Sequence, residues 1–166
     1  PYPDTPLHAL FEAQAARTPA ATALLAGDVR LSYAALNERA DRMAGYLRGR
    51  GVRPGSVVGV SLPRSLDQIA ALLAILKTGA AYLPLDPAYP PQRLQEMVAD
   101  AGAGLVLGPA DLSDLPAAAP GHADLRLPLD APACLLYTSG SAGLPKGVLA
   151  THRGAVNHCQ WLWETY

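Results

Sequence analysis

The amino-acid sequence predicts an α/β fold with a largely parallel sheet flanked by helices. The main reason is that helical apolar patterns alternate with short apolar runs, as they do where helices connect parallel strands. The composition agrees, because 50% of the 166 residues are apolar, which is enough for a sizeable core. Since many of these residues are alanine, the core has to come from packed helices and short buried strands.

The N-terminal stretch predicts a helix followed by a β-hairpin. Thr5 is placed to cap the helix and Pro6 to occupy its first position. The apolar face of this helix, at helical spacing, consists of Leu7, Leu10, Phe11 and Ala15. Two apolar runs, residues 21–25 and 29–33, flank turn-forming residues at 27–28 and therefore predict a hairpin.

The next stretch predicts two helices around a buried strand. Ser32 caps the first helix, which ends near Gly51, and Ser65 caps the second, which ends at Gly79. The apolar run 57–60 between them predicts the strand. The residues expected to face the core are Leu36, Ala40, Met43, Ala44 and Leu47 in the first helix and Ile69, Leu72, Leu73 and Leu76 in the second.

The remaining pattern continues the alternation of strands and helices. A strand is predicted over 81–85, a helix over 92–101 after a proline-rich segment, and a strand over 105–107. Residues 108–121 are rich in Pro, Ala and Asp and predict a surface connection. Before a final helix, further short strands are predicted over 125–127, 134–138 and 148–150. Because ligands of such sheets bind at the carboxyl ends of strands, we expect function in a loop that follows a strand.

Several classes of protein are disfavoured. Thirteen basic and fourteen acidic residues give a formal charge of -1, and without a basic run we expect no nucleic-acid partner and no membrane surface. The longest apolar stretch, 69–76, is too short to span a bilayer. No signal peptide is visible, and Cys134 and Cys159 have neither metal-binding nor disulfide-framework spacing, so we expect reduced thiols in the cytoplasm and no metal site.

The clearest chemical signal is a glycine-rich loop after the strand 134–138. Residues 137–147 read Tyr-Thr-Ser-Gly-Ser-Ala-Gly-Leu-Pro-Lys-Gly. Small residues let backbone N–H groups approach an anion, hydroxyl groups add donors, and Lys146 adds a compact positive charge. This combination suits a polyphosphate, whereas a plain turn between two strands is the alternative that spacing alone leaves open.

Three common motifs do not fit this sequence. A P-loop beginning at Gly140 requires glycine at position 145, where Pro145 stands. Neither Ser139 nor Ser141 lies in the G-x-S-x-G pattern of a hydrolase nucleophile. The dinucleotide pattern near Gly102 precedes a strand instead of following one.

At the level of families, residues 137–147 resemble the signature Y-T-S-G-[ST]-T-G-x-P-K-G of the adenylate-forming enzymes. Residues 31–36, Leu-Ser-Tyr-Ala-Ala-Leu, and the stretch 76–94, which begins Leu-Lys-Thr-Gly-Ala-Ala-Tyr, are similar to the first two core motifs of that family. The second stretch resembles the amino-acid-activating adenylation domains of non-ribosomal peptide synthetases more than acyl-CoA ligases or luciferases. Residues 7–19 resemble the opening of such domains after a condensation domain.

The resemblance implies that residues 1–166 are the N-terminal part of an AMP-binding adenylation domain, an incomplete subdomain truncated at its C-terminus. Such domains bind ATP, Mg²⁺ and an amino acid, form an aminoacyl adenylate and load it onto the phosphopantetheine thiol of a carrier protein. The implied phosphate-binding residues are Thr138, Ser139, Gly140, Ser141, Gly143 and Lys146. No catalytic residue is expected within the chain, because these residues and the amino-acid pocket are expected downstream, so the chain alone is expected to be inactive.

Two alternatives stay open, a stand-alone phosphate- or nucleotide-binding module and an acyl-CoA ligase of the same superfamily. One position departs from the family signature, because Ala142 stands where threonine is usual. A hydrogen bond to a charged acceptor is worth about 1.5–3 kcal/mol, so its absence predicts phosphate binding that is weaker by roughly ten- to a hundredfold.

Other polar residues are interpreted as structural. His152, Arg153 and Asn157 follow the loop, and capping or packing is favoured over catalysis. Lys77 is predicted to snorkel from the end of an apolar helix. Cys159 is expected in the core at helical spacing with neighbouring apolar residues.

Overall fold

Short strands and the helices between them form a five-stranded sheet and a separate hairpin. The computed structural model describes residues 4–116, 125–138 and 146–165. The helices are α1 (Leu7–Arg17), α2 (Tyr33–Gly49), α3 (Leu66–Lys77), α4 (Pro91–Asp100) and α5 (His152–Thr165), with a 3-10 helix at Pro109–Asp114. The strands are β1 (Thr22–Ala26), β2 (Val29–Ser32), β3 (Val57–Val60), β4 (Ala81–Pro84), β5 (Leu105–Leu107), β6 (Pro132–Thr138) and β7 (Lys146–Thr151).

The larger sheet confirms the predicted parallel architecture. Its strand order is β5-β3-β4-β6-β7, with β3 parallel to both β4 and β5 and β4 parallel to β6. Only the last pair, β6 and β7, is antiparallel. Strands β1 and β2 form the predicted antiparallel hairpin. The carboxyl ends of β3, β4, β5 and β6 therefore lie at one edge of the sheet.

Helices cover both faces of the sheet. On one face α2 and α3 pack against β3, with Met43, Leu47, Val58 and Ile75 fully buried between them. On the other face Met97 of α4 packs against β4 and the residues that follow it. Gly59 in β3 makes room for the packing on this face, because a Cβ atom there would lie 2.8 Å from Leu85 Cδ1 and would require that side chain to shift.

The predicted serine caps are confirmed and the threonine cap is wrong. The hydroxyl oxygen of Ser32 accepts from the Ala35 N–H, and that of Ser65 accepts from the Gln68 N–H, both at 3.2 Å. At α1 the cap position is Pro6, in extended conformation and without a side-chain hydrogen bond. Thr5 lies one residue too early, and the N–H of Leu7 is instead satisfied from a distant part of the chain, as described below.

The core face of α3 differs from the prediction at one residue. Ile69 is 37% exposed, while the fully buried residues of this helix include Ala70, Ala71 and Ala74. The reason is that α2 and α3 pack closely, which places small side chains at the contact and turns the larger Ile69 outward. Leu76 is buried as predicted, and Leu72 and Leu73 pack partly buried against the core.

The segment after β5 differs from the prediction in two ways: it contains a 3-10 helix bonded to α2, and it lacks the strand predicted over 125–127. The 3-10 helix is held to α2 by a 2.7 Å hydrogen bond from the Tyr46 hydroxyl to Asp111 Oδ1. Residues 125–127 form no strand, because both sides of β6 are already occupied by β4 and β7. Leu127 instead packs beside Gly79, whose Cβ position lies 3.1 Å from Leu127 Cδ2. The second half of the predicted surface connection falls mainly outside the described residues.

Candidate functional site

The β6–β7 hairpin brings together the two ends of the glycine-rich loop. Thr138 and Lys146 are partners across the hairpin, and the Thr138 hydroxyl lies 3.5 Å from the Lys146 carbonyl oxygen, to which it donates. Both residues are exposed. The other predicted phosphate-binding residues lie outside the described residues, as does Ala142, so their roles stay predictions: Ser139, Gly140, Ser141 and Gly143.

This hairpin end lies at the edge of the sheet where the carboxyl ends of the parallel strands meet. Strand β6 runs parallel to β4, with Cys134 beside Tyr82, so Thr138 lies at the carboxyl end of its strand. Parallel α/β sheets bind ligands at this edge. A cavity of about 250 Å³ opens at the same edge, after β3 and β4, and is lined by Leu62, Pro63, Arg64, Gln68, Pro84, Leu85, Asp86 and Pro87.

Tyr137, one residue before Thr138, is fastened to the end of α4. Its hydroxyl donates to Asp100 Oδ2 at 2.5 Å and lies 3.4 Å from the carbonyl oxygen of Met97. Partial burial, followed by the hydrogen bond to Asp100, raises the pKa of Tyr137 to about 12. The phenol, protonated at neutral pH even with its ordinary pKa of 10, stays a hydrogen-bond donor further into the alkaline range. Sequence reasoning missed Asp100, since its partner lies 37 positions away and nothing in the local pattern marks the contact.

His152 is a structural cap, in agreement with the favoured interpretation. Its side chain is fully buried, and its Nδ1 accepts from the backbone N–H of Leu7 at 3.2 Å. Its ring lies edge-on to that of His8, with centroids 5.7 Å apart. Burial lowers the pKa of His152, which favours the neutral imidazole that can accept this bond. His152 thus caps α1 where the local sequence does not.

Arg153 binds carboxylates at the surface. Its Nε donates to Asp130 Oδ1 at 2.9 Å, and Asp4 lies 3.9 Å from its Nη1. The hydrogen bond and the charge of Arg153 lower the pKa of Asp130. These contacts are structural and do not involve the hairpin end.

Lys77 does not snorkel, which corrects the prediction. Its side chain is only 1% exposed, and its ammonium donates to three oxygen atoms from two other helices. The acceptors are Glu12 Oε1 at 2.6 Å, Asp41 Oδ1 at 2.7 Å and Asn37 Oδ1 at 2.9 Å. Because α1 and α2 cover the end of α3, the amine cannot reach water and binds carboxylates instead. We call this group of four side chains the Lys77 cluster.

The two cysteines are both free but differ in burial. Cys134 is buried and Cys159 is exposed, so the expected core position of Cys159 is wrong. Val156, three residues earlier in α5, is buried. Within the part of the chain that the structure describes, no three His, Cys, Asp or Glu side chains are grouped to hold a metal ion. Nor does any described helix have the length and apolar character needed to cross a membrane.

The fold and the hairpin together define an α/β protein whose ligand edge carries a glycine-rich loop between adjacent strands. Comparison with known proteins identifies the family, because residues 11–125 and 110–166 match the AMP-binding enzyme family. The chain belongs to this family.

A curated relative shows which branch of the family is similar. Bacitracin synthase 3 of Bacillus licheniformis is 41% identical over 177 aligned positions, which cover 96% of this chain and 3% of that protein. The chain thus spans only a small part of the length of this relative. Its resemblance to peptide synthetases, expected from the motifs, is confirmed.

Solved structures of two proteins have the same fold. The nonribosomal peptide synthetase FmoA3, solved with AMPPNP, has 39% identity and a TM-score of 0.84, covering 100% of this chain and 19% of that chain. FmoA3 has also been solved with alpha-methyl-L-serine-AMP, with a TM-score of 0.86. The N-terminal subdomain of Klebsiella oxytoca NpsA, in complex with 3-hydroxybenzoyl-AMSN, has 28% identity and a TM-score of 0.84, covering 93% of this chain and 43% of that chain. The predicted subdomain fold is confirmed.

Proposed function

We propose that residues 1–166 are the N-terminal part of an adenylation domain that activates an amino acid with ATP in a non-ribosomal peptide synthetase. The observation that carries this proposal is the placement of Thr138 and Lys146 side by side at the ligand edge of the sheet. Membership of the AMP-binding enzyme family supports it, as does the similarity to FmoA3, whose structures include AMPPNP and an aminoacyl-AMP.

The reaction joins an amino acid to AMP. A carboxylate oxygen of the amino acid attacks the α-phosphorus of ATP, the bond to the β-phosphate breaks, and pyrophosphate leaves. Negative charge accumulates on the leaving pyrophosphate, so a fixed cation and N–H or O–H donors beside it lower the barrier. We assign this role to Lys146 and Thr138, together with Ser139, Gly140, Ser141 and Gly143. Lys146 is exposed at the hairpin end, where a phosphate can reach it.

In this proposal Mg²⁺ accompanies the phosphates of ATP. Mg²⁺ in such sites is commonly held by phosphate oxygens and water, with one or two carboxylates. The described residues contain no cluster of three metal-binding side chains, so they do not form a metal cage. We therefore assign no residue of this chain to Mg²⁺ and derive no step through it.

The proposed partners follow from the same function. The aminoacyl adenylate would pass to the phosphopantetheine thiol of a carrier protein, with a condensation domain upstream. Amino-acid activation is preferred to acyl-CoA ligation because the chain is 41% identical to a peptide synthetase, bacitracin synthase 3, and 39% identical to FmoA3, which has been solved with alpha-methyl-L-serine-AMP. Location in the cytoplasm stays a prediction.

Exchange of radiolabelled pyrophosphate into ATP tests the proposal. We expect the complete domain to catalyse exchange with one or a few amino acids, and we expect the chain of residues 1–166 to show none above a no-enzyme control. Failure of the complete domain with every amino acid would overturn amino-acid activation. Exchange by the 166-residue chain would show that the chain is self-sufficient and that the proposed division of the site is wrong.

A further inference from the structure

The aromatic ring of Tyr137 covers a bare position of the neighbouring strand. Tyr137 and Gly147 are partners across the β6–β7 hairpin. A Cβ atom on Gly147 would lie 3.5 Å from Cζ of Tyr137 and 3.3 Å from Cδ1 of Leu135. Because Gly147 has no side chain, the two β6 side chains close over this part of β7. An aromatic ring over a cross-strand glycine is a known way to fix strand register.

Asp100 holds the other end of the same ring. It is the last residue of α4, and a carboxylate at a helix C-terminus is disfavoured by the helix dipole by about 0.3–1 kcal/mol. Helix stability therefore does not explain an acidic residue here. Its carboxylate accepts from the Tyr137 hydroxyl at 2.5 Å, which makes a charge-assisted hydrogen bond.

This contact lies next to the proposed phosphate-binding residues. The pair of Tyr137 and Gly147 is immediately followed by the pair of Thr138 and Lys146. Strand β6 extends beyond β4, whose last residue is Pro84, so the end of the hairpin has no further strand beside β6 within the described residues. The hydrogen bond from Tyr137 to Asp100 of α4 therefore holds the end of β6 where β4 no longer pairs with it.

We propose that Asp100 is a positioning residue that acts through Tyr137, fixing the backbones of Thr138 and Lys146 in the orientation needed to receive the phosphates of ATP. The inference rests on the proposed function. Asp100 touches no reacting atom in this scheme. It limits rotation of the hairpin end, so the hydroxyl of Thr138 and the ammonium of Lys146 approach the leaving pyrophosphate from a fixed direction.

Kinetics of the complete adenylation domain test this inference. We expect Asp100→Ala and Tyr137→Phe each to lower kcat/KM for ATP about tenfold, the loss associated with one charge-assisted hydrogen bond. The double variant should be no worse than either single variant, because both remove the same contact. Asp100→Asn keeps an acceptor oxygen for the phenol and should recover most of the loss. Amide hydrogen exchange at residues 146–147 should accelerate in Asp100→Ala but not in Asp100→Asn.

The matched control removes a carboxylate one turn earlier on the same helix. Glu96 is exposed and accepts from Gln92 at 3.0 Å, so Glu96→Ala should change neither the kinetics nor the exchange. Losses in Asp100→Ala and Tyr137→Phe that simply add in the double variant would overturn the inference. The inference would also be overturned if Asp100→Ala and Tyr137→Phe kept kcat/KM for ATP within twofold of the parent while Lys146→Ala lost activity. That result would leave the proposed function intact. Failure of the proposed function itself would be distinguishable, because Lys146→Ala would then have the same kcat and KM for ATP as the parent.

Discussion

The two lysines of this chain occupy opposite environments and illustrate how burial decides what a charge does. Lys77 is 1% exposed and binds Glu12, Asp41 and Asn37, whereas Lys146 is exposed at the end of a hairpin. A buried ammonium must be fully paired, because an unpaired charge in the core is very costly. An exposed ammonium keeps its hydration and is available to an anionic ligand. The first lysine therefore joins three helices, and the second is the candidate for chemistry.

The largest expected effect comes from removing the buried charge. Lys77→Ala removes the ammonium that the carboxylates of Glu12 and Asp41 both bind. These side chains are 22% and 23% exposed, so water relieves part of the penalty. We expect the free energy of unfolding to fall by about 3 kcal/mol, near the lower end for a broken buried pair. Urea unfolding followed by circular dichroism measures this loss. A loss below about 0.5 kcal/mol, the usual range for surface changes, would show that the Lys77 cluster does not hold the helices.

The matched variant at the exposed lysine should show the reverse behaviour. Lys146→Ala should change unfolding by less than about 0.5 kcal/mol, as surface substitutions usually do. In the complete domain it should reduce ATP-dependent adenylation by roughly ten- to a hundredfold, because a charge-assisted contact to phosphate is lost. Measurements of kcat and KM for ATP decide the question. Unchanged values for both constants would favour the plain-turn interpretation of the loop.

A smaller effect is expected from restoring the hydroxyl that the family signature contains. Ala142→Thr adds a donor beside the proposed phosphates and should lower KM for ATP several-fold, within the range of one hydrogen bond. Ala142→Val is the matched control, since valine has nearly the shape of threonine without its hydroxyl. Equal KM values for the two variants would show that shape, and not hydrogen bonding, matters at this position.

The smallest expected effect is the pH dependence of stability that arises from the buried His152. Burial lowers the folded-state pKa of His152 below its ordinary value of 6.5, so the unfolded chain binds more protons in this range. Stability should therefore decrease as pH falls below about 6.5 and should level off once the folded-state pKa is passed. Comparison with His152→Gln, which does not titrate at this position, isolates the contribution of His152. The same pH dependence in both proteins would contradict the assignment.

Local sequence patterns predicted much of the fold. Short apolar runs predicted β3 and β5, and serine residues at the right offset predicted the caps of α2 and α3. These features were predictable because each depends on interactions within a few residues. The loop that follows β6 was also identified locally, from its small residues and single lysine. The structure places Thr138 and Lys146 together and shows that Lys146, predicted within the loop, is the first residue of strand β7.

What the sequence by itself determined were the features that depend on near neighbours: the order of strands and helices, the position of the loop and the family. Only the tertiary structure decided that Lys77 is buried and paired, because its partners lie 36 to 65 positions away in the sequence. The same holds for His152, which caps a helix 145 positions earlier, and for Asp100, which reaches Tyr137 from another layer. The physical reason is that burial and pairing of a polar group depend on which elements meet around it. Which helices and strands pack together is a property of the folded chain, and short-range sequence patterns contain almost no information about it.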